Sequence, residues 1–161
     1  MEILQNPHPI LKQKAQPVEK ITPEIKEIIK TMKKAMIENN GVGLAANQIG
    51  YPFRIIICYF QNKFYVFLNP KIVKFSKQNI EMEEGCLSLK GIFGIVERPE
   101  KITLEAINPN GKKIKQKFCG ILSRIIQHEV DHLDGILFID KAKKVYTLKE
   151  ESSEESKNKS L

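Results

Sequence analysis

Two histidines and a glutamate lie close together in segment 128–132, which reads His-Glu-Val-Asp-His. If this segment is helical, positions i and i+4 share one face, so His128 and His132 can direct their imidazoles at one metal ion. Glu129, beside them, can then exchange a proton with a water molecule at that ion. The spacing is typical of divalent metal hydrolases and predicts a metal site.

The residues around this motif predict a helix that is buried along the same face. Apolar side chains recur at helical spacing, and His128, Glu129 and His132 fall beside or within the stripe that they form. The apolar stripe consists of Ile121, Leu122, Ile125, Ile126, Leu133 and Ile136. The opposite side of the helix is polar and consists of Arg124, Gln127, Asp131 and Asp134. Burying unpaired imidazoles and a carboxylate costs several kcal/mol, so a solvated surface helix with two histidines is disfavoured.

Composition narrows the class of protein. The 161 residues suit one domain with its own core. The three cysteines, Cys58, Cys86 and Cys119, are an odd number, and the first residues lack the apolar segment of a secretion signal. Both features favour a reducing cytoplasm. The longest apolar run, 55–60, is too short to span a membrane.

The formal net charge of +7 raises the question of a nucleic-acid partner. A basic protein attracts polyanions in general, but the lysines are scattered along the sequence rather than gathered into a block. We therefore expect a basic, solvated surface without a specific DNA site, and we leave docking on ribosomal RNA open. We also expect a monomer.

The first part of the chain predicts one amphipathic helix. Thr22 is a typical N-cap and Pro23 suits the first helical position. The helix should end near Asn39-Asn40-Gly41. Its expected buried face is Ile25, Ile28, Ile29, Met32, Ala35 and Met36.

The middle of the chain predicts antiparallel strands. Residues 54–60 and 63–68 read as strands joined by a turn at Gln61-Asn62, and further strand-like runs lie around Ile72 and at 80–82. A second hairpin is expected over 101–118, with Asn-Gly at 110–111 as its turn signal. The predicted fold is α+β, with antiparallel sheets and hairpins packed around a central C-terminal helix that carries the metal motif.

The composition changes after Asp140, where the chain becomes charged, serine-rich and poor in apolar residues. We expect residues 1–140 to form a single catalytic domain and residues 141–161 to form a polar tail. Between Lys141 and Glu151 the tail should contain one short helix at most, and its end is expected to be disordered because it has nothing to bury.

Two further segments do not resemble ordinary packing. The segment 41–48, Gly-Val-Gly-Leu-Ala-Ala-Asn-Gln, would let a backbone approach a ligand closely, although a tight helix-to-strand connection is an equal alternative. In the segment 84–88, Glu-Gly-Cys-Leu-Ser, Cys86 can supply the thiolate ligand that two imidazoles lack. A buried, inert cysteine is its alternative. Cys58 and Cys119 are expected to be structural.

Taken together, three motifs resemble the peptide deformylases: Gly-x-Gly-Leu-Ala-Ala-x-Gln at 41–48, Glu-Gly-Cys-Leu-Ser at 84–88 and Gln-His-Glu-x-Asp-His-Leu at 127–133. They occur in the order and separation of that family. With Gly135, Leu137, Phe138 and Asp140, the resemblance covers about residues 1–140. It implies hydrolysis of the formyl group from the N-terminal formyl-methionine of nascent chains in the cytoplasm.

The resemblance also implies a metal and a set of reacting groups. One divalent ion per chain is expected on Cys86, His128 and His132, ferrous iron in the cell, with zinc, nickel or cobalt as alternatives. Glu129 would act as general base and then as general acid. The Gln48 side chain and the Leu87 backbone N–H would face the oxygen on which negative charge develops.

Substrate-binding and supporting residues follow from the same resemblance. Backbone groups of Val42, Gly43 and Gly85 would align the peptide as an added strand. Ile121 and Ile125 are the expected floor of a methionine pocket with Val42 at its rim, although plain core packing is equally probable for either isoleucine alone. Glu84 and Arg98 would form an ion pair that supports the metal ligands.

Two other functions fit parts of the pattern. A zincin-type protease also carries His-Glu-x-x-His but takes its third ligand downstream, where only glutamates of the polar tail are available. A non-enzymatic module whose ion only stabilises the fold would need four protein ligands. The sequence offers no plausible fourth one.

Overall fold

The computed structural model describes residues 1–148, which form two α-helices, eight β-strands and three 3-10 turns. The helices are Pro23–Glu38 (α1) and Gly120–Leu133 (α2), and the 3-10 turns are Pro9–Lys12, Ala46–Ile49 and Phe138–Asp140. The strands are Gly43–Ala45 (β1), Ile55–Phe60 (β2), Lys63–Phe75 (β3), Asn79–Cys86 (β4), Leu89–Pro99 (β5), Lys101–Ile107 (β6), Lys113–Cys119 (β7) and Lys144–Thr147 (β8). In this part of the chain no helix has both the length and the apolar character needed to cross a bilayer.

Helix α1 forms where its capping residues predict it. The Thr22 hydroxyl accepts a hydrogen bond from the Ile25 N–H at 3.3 Å, and Pro23 occupies the first turn. The helix ends at Glu38, and Asn40 takes a left-handed conformation with φ of +54°. All six residues of the predicted apolar face are buried, so that prediction is confirmed.

The strands form two antiparallel sheets, as the predicted fold class requires. The first sheet has five strands in the order β1-β2-β3-β6-β7, and the second has three in the order β4-β5-β8. The turn at Gln61-Asn62 and the hairpin of β6 and β7 are both present. Strand β3 runs to Phe75, past the predicted end at Leu68, because shifts in its register let it bend and continue its pairing with β6.

The two helices lie on opposite faces of the five-stranded sheet. Ile55 and Ile57 of β2 pack in the cluster that contains the apolar face of α1, whereas Ile56 packs in the cluster that contains Ile126 of α2. Apolar and polar residues do not alternate along segment 55–57, because β2 is covered on both of its faces. Helix α2 is therefore central, with strands of both sheets around it.

One prediction about α2 is wrong. Arg124, Gln127 and Asp131, expected on a solvent-facing side, are buried, and Ile121, expected in the buried stripe, is 50% exposed. The polar residues tolerate burial because each has partners: Arg124 binds Glu84, Gln127 donates to the Pro99 carbonyl, and Asp131 pairs with Arg98. Periodicity alone could not reveal these partners, since they come from other strands.

The prediction for the start of the tail is also wrong. Residues 144–147 form a strand instead of a helix, and β8 pairs with β5 from Ile95 opposite Lys144 to Ile92 opposite Thr147. Backbone pairing along the open edge of β5 decides this conformation, and so short a polar segment gives no periodic signal of it. The folded unit thus extends past Asp140. The expected disordered end lies outside the described residues.

Candidate metal centre

Three elements bring the reactive side chains together. Helix α2 carries His128, Glu129 and His132, strand β4 ends at Cys86, and the 3-10 turn after β1 carries Gln48. His128 and His132 lie one helical turn apart, with their ring centroids 5.0 Å from each other. The helical spacing therefore does place both imidazoles on one face, towards the end of β4.

The donor atoms of Cys86, His128 and His132 all lie within 4.8 Å of one another. The Cys86 Sγ and His132 Nε2 atoms are 3.3 Å apart. His132 is 1% exposed. One thiolate and two imidazoles are a donor set that suits zinc or ferrous iron, and three protein ligands are the number found in catalytic rather than structural sites.

The surroundings of the two imidazoles suit a bound cation. Burial lowers the pKa of His128, but hydrogen bonds with Cys86 and Glu84 outweigh it and raise that pKa to about 10. The same negative surroundings that favour a proton on His128 favour a dication there. Burial and the positive charges of His128 and Arg98 hold the pKa of His132 well below its ordinary value, so His132 is neutral, as a metal ligand must be.

Glu84 orients His128. Its Oε1 atom lies 2.8 Å from His128 Nδ1, which leaves Nε2 as the nitrogen that can bind a metal. Burial raises the pKa of Glu84, but His128 and Arg98 outweigh that effect and lower the pKa to about 2. Glu84 is therefore a carboxylate at neutral pH and holds the imidazole in one tautomer.

Two buried arginines neutralise this carboxylate. Arg98 donates two hydrogen bonds to the Glu84 carboxylate, at 2.7 and 2.9 Å, and so forms the ion pair that was predicted. It also donates to Asp131 Oδ2 at 2.8 Å. Arg124 reaches Glu84 Oε2 at 2.6 Å and also donates to the carbonyl of Val96. Arg124 thus ties α2 to both strands of the second sheet that flank the site.

Replacing Arg124 with methionine should destabilise the protein by about 3 kcal/mol, because it removes a charge partner from a buried carboxylate. The control is Lys115→Met, since the side chains of Lys115 and of its partner Glu105 are 66% and 48% exposed. An exposed pair contributes about 1 kcal/mol or less, so this variant should lose little. Urea unfolding of both metal-loaded variants measures the difference, and equal losses would contradict the role of Arg124.

Glu129 is a buried carboxyl group with an unusual environment. It is 5% exposed, and its Oε2 atom has no hydrogen-bond partner among residues 1–148. Burial raises the pKa of Glu129 to about 7, with a further contribution from the charges of Glu84 and Asp131. A carboxyl group with a pKa near 7 can both accept and release a proton at neutral pH.

Gln48 is held rigidly next to Cys86. Its Oε1 atom accepts a hydrogen bond from the Ala45 N–H at 2.9 Å, and its Nε2 atom donates to Ser88 Oγ at 3.1 Å. The same Nε2 atom lies 3.6 Å from the Cys86 thiol. The Gln48 amide is therefore held in one orientation beside Cys86.

A cavity of about 650 Å³ opens onto these groups. The predicted substrate-binding residues Val42, Gly43, Gly85, Ile121 and Ile125 all line it, together with Gln48, Leu87, His128 and Glu129. Val42 is 56% exposed and Ile121 is 50% exposed, so both lie at the mouth of the cavity rather than at its floor. Ile125, which is half-buried, lies deeper.

Gly43 is needed because Glu129 approaches its backbone. A Cβ atom at this position would lie 2.6 Å from Glu129 Oε1 and 2.9 Å from Ile125. We predict that Gly43→Ala lowers kcat by about 10- to 100-fold, since a displacement of about 1 Å in a catalytic group has an effect of that size. Steady-state kinetics on the formylated peptide that the sequence resemblance implies as substrate tests this prediction, and an unchanged kcat would show that Glu129 tolerates displacement.

The sequence did not indicate three residues of this centre. The charges of Arg124 and Asp131 predict a solvated face, and Ser88, which is 1% exposed and accepts a hydrogen bond from Gln48, is indicated only as part of the motif at 84–88. Arg124 lies four residues before His128, and that spacing was a usable signal that both face the same side.

Comparisons with known proteins agree with this geometry. The family model described as polypeptide deformylase matches residues 1–147. A peptide deformylase from Desulforudis audaxviator is 43% identical over 150 residues, which are 92% of this chain and 97% of that protein. The crystal structure of peptide deformylase from Thermotoga maritima aligns with a TM-score of 0.86 at 34% identity, over 89% of this chain and 97% of that one. A Met-Ala-Ser-bound class I type b peptide deformylase from Acinetobacter baumannii aligns with a TM-score of 0.84 at 36% identity, over 88% and 98%.

Proposed function

This chain belongs to the polypeptide deformylase family, and on that premise we propose how its residues perform the reaction. The chain is an enzyme that removes the N-formyl group from the N-terminal formyl-methionine of nascent polypeptides and releases formate. The family is metal-dependent, and the Cys/His/His cluster is present.

The proposed ligands of one divalent ion per chain are Cys86, His128 and His132. Their donor atoms, the neutral state of His132 and the carboxylate behind His128 support this assignment. We propose ferrous iron in the cell, with zinc, nickel or cobalt as ions that the same donors accept. When bound, the ion supplies a positive charge that makes water acidic near neutral pH and polarises a carbonyl oxygen.

In this proposal Glu129 moves the proton. Its carboxylate takes a proton from the attacking water as the new C–O bond forms at the formyl carbon. It then gives that proton to the amine nitrogen as the C–N bond breaks, so that formate and a free N-terminal amine leave. The buried Oε2 atom, which has no hydrogen-bond partner within the described part of the chain, and the pKa of about 7 support both roles for Glu129.

Gln48 and Leu87 stabilise the charge that develops on the formyl oxygen. The Gln48 Nε2 atom and the Leu87 backbone N–H are the proposed donors. The fixed position of Gln48 between Ala45 and Ser88 supports its role, because a preorganised donor has no reorganisation cost during the reaction. Leu87 follows Cys86 directly and is held through its carbonyl, which accepts from Gln5 at 2.8 Å.

The peptide aligns along the cavity as an added strand. Backbone groups of Val42, Gly43 and Gly85 are the proposed partners, and Ile121 and Ile125 contact the methionine side chain. The Acinetobacter baumannii relative binds Met-Ala-Ser, a peptide whose first residue is the one expected here after deformylation. The apolar lining of this chain's cavity suits the same residue.

One observation carries the assignment of roles: Glu129, whose buried Oε2 atom has no hydrogen-bond partner among residues 1–148, lines the same cavity as Cys86 and His128, two members of the donor cluster that suits a metal. The test is an assay of formate release from formyl-Met-Ala-Ser after anaerobic purification and metal analysis. Rapid release by the iron-loaded enzyme, with loss of activity on chelation, is expected. Absence of formate release in the iron, zinc, nickel and cobalt forms would refute the proposal.

The zincin-type alternative differs in its third ligand. In this chain Cys86, upstream of the helix, joins the two histidines, whereas a zincin takes a downstream residue. Cleavage of an internal peptide bond in an unformylated peptide would favour that alternative.

The wider setting is also a proposal. We propose a single catalytic domain that covers residues 1–140 and is completed by β8, active in the cytoplasm as a monomer. Its substrates are nascent chains, so docking on the ribosome is part of the proposal. Size-exclusion chromatography coupled to light scattering tests the monomer, and a stable dimer at micromolar concentration would contradict it.

A further inference from the structure

Strand β8 brings an aromatic side chain next to the wall of the substrate cavity. In the second sheet Gly85 of β4 pairs with Phe93 of β5, and Phe93 pairs with Tyr146 of β8. Directly paired residues of neighbouring antiparallel strands point to the same face of a sheet. The side chains of Phe93 and Tyr146 therefore lie next to each other, on a face to which Gly85 contributes no side chain.

Phe93 reaches the cavity across Gly85. A Cβ atom at position 85 would lie 3.0 Å from Phe93 Cε1 and 3.2 Å from Phe93 Cδ1, so the ring occupies the space that a side chain at this position would take. Strand β4 lies at the edge of the sheet, and both residues line the cavity of about 650 Å³. Phe93 is therefore part of the cavity wall, although it belongs to the middle strand of its sheet.

Tyr146 supports the Phe93 ring from the side away from Gly85. The centroids of the two aromatic rings are 6.4 Å apart and their planes differ by 26°, so the rings are stacked. The Tyr146 hydroxyl donates a hydrogen bond to the Glu83 carboxylate on β4. Tyr146 is thus held at its backbone by β5 and at its hydroxyl by β4. It does not itself line the cavity, so it can affect the cavity only through its neighbours.

One lysine ties the start of β8 to both other strands of the sheet. Lys143 Nζ lies 2.5 Å from Glu81 Oε1 on β4 and 2.7 Å from Glu97 Oε2 on β5. The Lys143 backbone N–H also donates to the Ile95 carbonyl at 2.9 Å. Exposed ion pairs contribute little to stability, but together with the backbone pairing they support the register in which the two aromatic rings meet.

The two faces of β4 indicate which substrate residue meets Phe93. Glu84 points towards α2, where its carboxylate contacts His128. Successive side chains of a strand point to opposite faces, so Gly85 and the Phe93 ring face away from α2. In the proposed binding mode the methionine side chain points towards α2. The second residue of an extended peptide then points to the opposite side, which is the side of Phe93.

We propose that Phe93 contacts the side chain of the second substrate residue and that Tyr146 is a positioning residue, which holds the Phe93 ring in place for this contact. This proposal rests on the proposed function, because it concerns a formyl peptide bound in the same cavity. Phe93 is half-buried, so part of its ring is free to contact a ligand. A pair of aromatic rings strengthens binding by about 2- to 10-fold, so the enzyme prefers an aromatic second residue.

Competition between formyl-Met-Phe-Ser and formyl-Met-Ala-Ser for the metal-loaded enzyme tests the contact with Phe93. Wild type should favour the Phe peptide by about threefold or more in kcat/KM, through a lower KM at similar kcat. This ratio should fall to about 1 in Phe93→Ala. Phe93→Leu, which keeps an apolar side chain in the sheet, should lower the ratio as well. Because both peptides compete for the same enzyme molecules, the ratio does not depend on the fraction of enzyme that is folded or loaded with metal.

Variants of β8 test the role of Tyr146. Tyr146→Ala should also lower the ratio to about 1, whereas Tyr146→Phe should keep the wild-type ratio because the stacked ring remains. The double variant of Phe93→Ala and Tyr146→Ala should have the ratio of Phe93→Ala alone, since Tyr146 acts through Phe93. The matched control is Val145→Ala, which shortens a side chain on the opposite face of the same strand and should leave the ratio unchanged.

Three outcomes would overturn the proposal. Equal kcat/KM of wild type for the two peptides, or an unchanged preference in Phe93→Ala, would show that Phe93 does not contact the second residue. An unchanged preference in Tyr146→Ala would refute the positioning role, and an equal loss in Val145→Ala would show that β8 acts only through the stability of the sheet. Release of formate from both peptides at equal rates refutes this proposal alone, whereas no release from either peptide in any metal form refutes the proposed function.

Discussion

Glu129→Gln should lower kcat for formate release by about 10²- to 10⁴-fold while the metal content stays at one ion per chain. Glutamine has the size of glutamate but cannot accept a proton from water or return one to the leaving amine. The metal should remain because the three donors of the cluster are Cys86, His128 and His132. Glu129→Ala is expected to behave in the same way. Steady-state kinetics and elemental analysis of the same preparation measure both quantities.

Glu83→Gln is the matched control for this prediction. Glu83 is an exposed carboxylate that lines the same cavity, so its replacement changes the charge near the substrate without removing a buried proton acceptor. Its kcat should stay within about twofold of wild type, as is usual when general acid–base chemistry is untouched. If Glu129→Gln lost the metal together with activity, Glu129 would be a ligand rather than a proton carrier.

Local chemistry made the first helix and the hairpins predictable. Thr22 and Pro23 specify where α1 begins, and its apolar spacing specifies its buried face, without information from the rest of the chain. The Asn110-Gly111 turn similarly predicted the pairing of β6 with β7. The metal motif was predictable for the same reason, because His128 and His132 act through spacing within one helix.

Interactions between distant segments were not predictable in this way. Arg124 and Asp131 looked solvent-facing because they are charged, yet the energy of their burial is offset by Glu84 and Arg98 on other strands. Strand β8 exists because β5 offers an open edge, which segment 144–147 does not reveal. Strand register likewise brings together side chains that alternation separates in sequence, such as Lys71 and Lys115 on either side of Glu105.

The charged side chains around the metal ligands form one connected cluster, with Lys141 exposed at its outer end. Lys141 reaches Asp131 at 3.0 Å, Asp131 binds Arg98, and Arg98 binds Glu84, which orients His128. The low pKa of Glu84 means that this carboxylate keeps its charge at neutral pH. Burying such a cluster has a large desolvation cost. Its role here is to fix the orientation of the His128 imidazole.

Cys86→Ala should abolish detectable activity and weaken metal binding by well over about 100-fold, more than the 10- to 100-fold typical of losing a supporting residue. The thiolate is the one anionic donor in the cluster, and two neutral imidazoles cannot replace its attraction for a dication. Competition with a chelator measures the affinity, and formate release measures the activity. The fold should persist because the change removes one sulfur atom from a half-buried side chain.

Cys119→Ala is the matched control for the loss of the thiolate. Cys119 is exposed at the end of β7 and does not belong to the donor cluster, so its variant should keep both metal affinity and activity. Cys86→Ser adds a second comparison: it retains a small polar side chain near Gln48 but replaces the soft thiolate with a poor ligand, and it should also lose the metal. Urea unfolding of the metal-free proteins separates loss of the ion from loss of the fold. Full metal retention in a folded Cys86→Ala protein would mean that another residue is the third ligand. It would favour the zincin-type alternative, because the two histidines alone do not distinguish these two classes of enzyme.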